Sequence, residues 1–100
     1  MGNTVPRTED MDNGFATLYN ATNAEAAEEI EDWGFQKGTG GHQGAAIYFC
    51  DTQESARFRS RHGSQVILKV RVWLRTGKYG YDGKSYALYD SRDIISITRI

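Results

Sequence analysis

The sequence predicts an α+β domain with an antiparallel or mixed sheet, and three observations carry that expectation. "SQVILKVRVWLR" alternates Val66, Leu68, Val70, Val72 and Leu74 with Ile67, Lys69, Arg71, Trp73 and Arg75, the two-residue period of a strand with one well-buried face. Two helix-like segments, each opening on a capping residue and closing on a glycine, alternate with strand-like runs over residues 16–63. The remainder of the chain is a series of strand-like runs joined by short turns, a pattern that argues against a doubly wound parallel sheet.

The elements follow in order. Residues 1–14 are polar, hold the only proline and show no periodicity; they read as a mobile tail ahead of a single domain over residues 15–100. "ATLYNA", residues 16–21, reads as a short strand. A helix follows, capped by Thr22 or Asn23, with Ala24, Ala27 and Ile30 on one face and Trp33 close to it. Gly34 stops it. Glu25, Glu28, Glu29, Glu31 and Asp32 fill the rest of its surface, which reads as a solvated face rather than paired catalytic carboxylates.

"QKGTGGHQG", residues 36–44, is a glycine-rich loop without the Gly-Lys-Ser/Thr ending of a phosphate-binding loop. "AIYFC" is a short buried strand. "TQESARFRSRHG" is a short helix capped by Asp51 or Thr52 and stopped at Gly63. After the long strand, Asp82-Gly83 supplies the turn of a hairpin, and "DIISITRI" closes the chain as a last strand.

Composition bounds the function. The chain has 100 residues, a formal net charge of −1 and an isoelectric point near 6.1. A protein that holds nucleic acid by bulk charge carries a basic excess that this chain lacks. No apolar run approaches the roughly 20 residues needed to cross a bilayer, so no membrane partner is expected. Met1-Gly2 opens a myristoylation-like sequence, but Pro6 stands where that signal has Ser or Thr. Cys50, the one cysteine, leaves no intrachain disulfide or multi-cysteine zinc site. An intracellular setting, cytoplasmic or nuclear, is expected.

Four stretches in order, "LYNATNAEAAEEIEDWGF", "GGHQGAAIYFCDTQESARF", "VILKVRVWL" and "SYALYDSRDIISI", resemble the catalytic domain of the poly(ADP-ribose) polymerase-like ADP-ribosyltransferases. The resemblance spans about residues 16–100, in a minimal and divergent form. It implies an α+β fold with a split, mostly antiparallel sheet and short helices. It also implies a cleft between the two sheet halves that takes NAD as co-substrate, with no metal. Such proteins cleave the nicotinamide–ribose bond through a cationic ribose, as in glycoside hydrolysis, and pass ADP-ribose to a protein or nucleic-acid acceptor.

The resemblance assigns roles by position. Tyr48 corresponds to the tyrosine beside the ribose and nicotinamide. Phe58 stands where a tyrosine stacks on the nicotinamide ring, and Ser55 where a serine bonds its carboxamide. Ala21 replaces the glycine whose backbone clamps that carboxamide, and Thr22 matches the Ser/Thr after it. Asn20 occupies the place of the ribose-binding histidine, and Ser85 that of the catalytic glutamate. The catalytic set is therefore Asn20, Tyr48 and Ser85 in place of His-Tyr-Glu.

These departures open two readings: an enzyme transferring single ADP-ribose units, or an inactive module binding NAD, ADP-ribose or a protein. A third draws on RNA 2′-phosphotransferases and would need Arg57, Arg59 and Arg61 to reach a phosphate. Asp82 could replace the missing acid but reads first as a turn residue. His42 could replace the histidine but reads first as a loop residue. Cys50 reads as a small buried hydrophobe rather than a nucleophile.

Overall fold

The computed structural model of the protein describes residues 14–38, 44–59 and 66–100. Six strands, β1 (Phe15–Thr22), β2 (Ile47–Phe49), β3 (Val66–Trp73), β4 (Tyr79–Tyr81), β5 (Tyr86–Leu88) and β6 (Ile94–Arg99), form two three-stranded antiparallel sheets. One has the order β1-β3-β6 and the other β2-β5-β4. Among the described residues two α-helices, α1 (Ala24–Trp33) and α2 (Gln53–Arg59), follow β1 and β2. The chain is thus a small α+β domain with two antiparallel sheets. None of its described helices is long and apolar enough to cross a membrane.

The long strand behaves as its alternation dictates. Leu68, Val70, Val72 and Leu74 are buried and share the core-facing side of the sheet with Ala16 and Leu18 of the neighbouring β1. Ile47 and Phe49 of β2 and Tyr86 and Leu88 of β5 close that core from the second sheet, with Ala27 of α1 against it. Each large apolar side chain buried this way contributes about 1.5–3 kcal/mol. On the opposite face of β3, Arg71 donates to the Thr17 hydroxyl at 3.2 Å, and Phe15 stacks with Trp73. Ile67 departs from the one-buried-face pattern. It is buried with Ala56 and Cys50 because α2 covers that end of the sheet.

Asn23 caps α1, accepting from the Ala26 N–H at 2.7 Å. Gly34, at a φ of +84°, ends it by donating to the Ile30 carbonyl at 2.7 Å. The positive φ is one that glycine adopts without penalty. Trp33 does not join the apolar face; it is 81% exposed, and Ala24 is exposed as well. Phe35, just past the cap, is buried instead and meets Phe49 edge-on at 5.2 Å between centroids. Thr52 caps α2, its hydroxyl accepting from the Ser55 N–H at 3.0 Å.

Gly14 already belongs to the folded unit: its carbonyl accepts from Leu74 at 2.6 Å. Residues 1–13 lie outside the described residues, as do His42, Arg61, His62 and Gly63 and the side chain of Arg59.

Candidate functional site

Beside their shared core, a backbone bridge joins the two sheets among the described residues. Tyr19 of β1 and Cys50, just after β2, exchange backbone hydrogen bonds at 2.8 Å each. Beside that bridge the Asn20 side-chain amide donates to the Tyr48 carbonyl at 3.3 Å. From this seam the strands diverge, and a cleft of about 180 Å³ opens there, lined by Tyr19, Asn20, Ala21, Tyr48, Phe49, Cys50, Ala56 and Ser85.

The chain builds this wall from three separate stretches. Asn20 and Ala21 lie near the end of β1, opposite Leu68 and Ile67. Tyr48 is the middle residue of β2, opposite Ala87. Its hydroxyl donates to the Gly44 carbonyl at 2.5 Å, and Gly44 reaches that position with a φ of +90°. Ser85 enters from the β4–β5 turn and is buried. Its N–H, at 2.7 Å, and that of Lys84, at 2.8 Å, both donate to one carboxylate oxygen of Asp82. That carboxylate shapes the turn, which is the commoner use of an Asp-Gly pair.

The structure therefore brings Asn20, Ala21, Tyr48 and Ser85 into one cleft. Ser55 and Phe58 fall in an adjoining shallow groove of about 580 Å³, lined by Glu54, Ser55, Phe58 and Lys84. The two depressions are flanked by successive residues, Ser55–Ala56 on α2 and Lys84–Ser85 on the turn. The Phe58 ring is 89% exposed and does not line the cleft around Tyr48. Thr22 is half-buried at the end of β1 opposite Val66 and lines neither depression.

Several lining residues escaped sequence reasoning. Tyr19, Phe49 and Ala56 read there as ordinary strand or helix positions, and only the seam turns them toward a cleft. Glu54 and Lys84 sit next to singled-out serines, and that adjacency was the available signal. Cys50 is buried, as a small apolar residue is, yet it forms part of the wall. Among the described residues the cleft lining holds aromatic rings, an amide and hydroxyls and no carboxylate, so it suits a neutral polar group packed against rings. Compared with protein-family profiles, curated proteins and solved structures, the chain matches none of them.

Proposed function

We propose that the protein is a divergent NAD-dependent ADP-ribosyltransferase of the polymerase-like type, transferring single ADP-ribose units to an acceptor. One observation carries the reading. Asn20, Ala21, Tyr48 and Ser85, singled out from three distant stretches, line one cleft at the seam of a divided sheet. The cleft of about 180 Å³ suits the nicotinamide end, and the groove of about 580 Å³ beside it gives the remainder room. Together they reach the roughly 300–1,000 Å³ typical of small-molecule sites.

In this reading the ring face of Tyr48 packs the nicotinamide and its ribose in the cleft, while Phe58 lines the groove that takes the remainder. Ser55 bonds the carboxamide, and Asn20 and Ser85 address ribose hydroxyls. The bond from ribose C1′ to the nicotinamide nitrogen breaks with its electron pair going to nicotinamide, leaving a cationic ribose. An acceptor hydroxyl, amine or carboxylate then adds at C1′, a hydroxyl or amine losing its proton in the process. Exclusion of water and fixed dipoles supply the catalytic advantage.

A second reading, an inactive module that binds NAD or ADP-ribose, is favoured by a specific feature. Among the described residues no carboxylate lines the cleft, and that of Asp82 beside it is engaged by the Lys84 and Ser85 N–H groups. Loss of one preorganised electrostatic group costs about 10²–10³ in rate. Calorimetry with NAD and nicotinamide, paired with a nicotinamide-release assay, tests both. Binding with turnover is expected. Binding without turnover selects the module, and absence of both refutes the NAD reading.

A further inference from the structure

We propose that the groove between α1 and the outer edge of β6 docks an extended, positively charged polypeptide segment, which pairs with β6 as an added strand. The inference does not depend on the NAD reading. β6 is the edge of its sheet, paired with β3 alone among the described strands. The Ile100 N–H donates to the Ile67 carbonyl at 3.0 Å. Antiparallel alternation then turns the backbone groups of Thr98 and Ser96 toward β3, and those of Ile97 and Arg99 toward the outer edge. No described strand meets them there.

Beside this edge lies a depression of about 620 Å³ lined by Glu31, Trp33, Phe35, Ile94, Ile95 and Ile97, among others. Trp33 stands at its rim 81% exposed and Ile95 is 52% exposed. Ile95 is also the extra residue of a β-bulge, between Ile94 opposite Val72 and Ser96 opposite Arg71. A second depression of about 590 Å³, lined by Ala26, Glu29, Ile30, Trp33 and Gln36, continues on the far side of the tryptophan. A tryptophan and an isoleucine left this exposed along an open strand edge form a surface suited to a strand-adding segment with alternating side chains.

Charge selects the occupant. Glu31 pairs with Arg99 at 2.8 Å, and α1 carries four further acids, Glu25, Glu28, Glu29 and Asp32, with no basic residue. A second copy on the same edge would bring two such helices together against their like charge. The chain's own residues 1–13 hold Glu9, Asp10 and Asp12 against Arg7, an acidic excess that the helix repels. A segment with lysine or arginine alternating with apolar residues satisfies the helix and the tryptophan together.

The test is fluorescence anisotropy of the full chain with labelled ten-residue peptides of alternating lysine and valine. The expected result is saturable binding at least tenfold tighter than for the glutamate–valine counterpart, weakened by salt. Trp33→Ala, at an exposed position that the fold does not need, lowers the affinity at least tenfold. Of two lysine–valine peptides N-methylated at alternate residues, the one whose blocked groups face β6 loses binding by the same factor. Equal binding of the acidic peptide, full affinity in the folded Trp33→Ala variant, or full affinity of both methylated peptides would overturn the proposal. So would a dimer, seen by sedimentation, that Trp33→Ala dissociates.

Discussion

The Asn20 side-chain amide donates to the Tyr48 carbonyl at 3.3 Å, linking the sheet of β1 to the sheet of β2 next to the Tyr19–Cys50 bridge. This bond holds together the two walls of the cleft. Asn20→Ala removes the donor and lowers stability by about 1 kcal/mol, the net worth of a typical intramolecular hydrogen bond. Asn20→Asp keeps the shape but sets a carboxylate against a carbonyl oxygen, so it costs more than the alanine change. Urea unfolding followed by circular dichroism measures both. An aspartate variant as stable as the wild type would show that the amide donates nothing of consequence at the seam.

Ser85 lines the cleft at the position where the proposed reaction calls for an acid. In the proposed site Ser85→Glu adds a negative charge, and the backbone N–H groups of residues 84 and 85 that hold Asp82 are present in the variant too. Under the transferase reading, nicotinamide release rises at least tenfold, a part of the about 10²–10³ that one electrostatic group supplies. Ser85→Ala lowers the release that remains. A glutamate variant that binds NAD yet releases nicotinamide no faster than wild type would place the missing charge elsewhere.

The strand order of elements was legible because period two and glycine-stopped capped helices are local signals. β3, the Asn23 cap, the Gly34 stop and the Asp82 turn all follow from a few neighbouring residues. What was not legible depends on one element lying over another. Ile67 reads as an outward residue until α2 covers it, and Trp33 reads as near-core until Phe35 takes the place beside Phe49. The same holds in the candidate site. Asn20, Ala21, Tyr48 and Ser85 share a wall, whereas Phe58 points outward from α2, a distinction that sequence spacing does not encode.

Asp90 sets an acid-side dependence. Hydrogen bonds from the Arg92 guanidinium, at 2.9 and 3.1 Å, and the charge of Arg75, 3.3 Å away, hold its carboxyl well below the usual carboxylate range. A carboxylate depressed in the folded state contributes stability at pH values above its unfolded pKa. That contribution fades as the pH falls below roughly 4 toward the folded value. Asp90→Asn therefore flattens the loss of stability between pH 5 and 2, measured as the urea midpoint across that range. An unchanged slope would assign the acid limb to other carboxylates.

Tyr86 sets the opposite limb. Its side chain is fully buried, within a cluster where Tyr81 lies 4.4 Å and Tyr79 6.5 Å away between ring centroids. Its hydroxyl makes no hydrogen bond to any described group. Burial first, then the neighbouring Tyr81, Asp51 and Tyr79, push its pKa far above the ordinary tyrosine value. A phenol raised in this way contributes stability that is complete below the unfolded pKa near 10 and is lost as the pH climbs beyond it, because the unfolded chain ionises first. Tyr86→Phe keeps the ring in the core and removes both the unpaired hydroxyl and its titration. The variant is thus expected to gain about 1 kcal/mol at pH 7, the low end of the cost of a buried unsatisfied polar group. It also loses less stability than wild type between pH 9 and 11. Tyr81→Phe, which removes one neighbouring hydroxyl that raises the Tyr86 pKa, is the control and moves both quantities less than Tyr86→Phe does. If Tyr86→Phe instead destabilises the fold by more than the control does, the hydroxyl has a partner that stabilises the core.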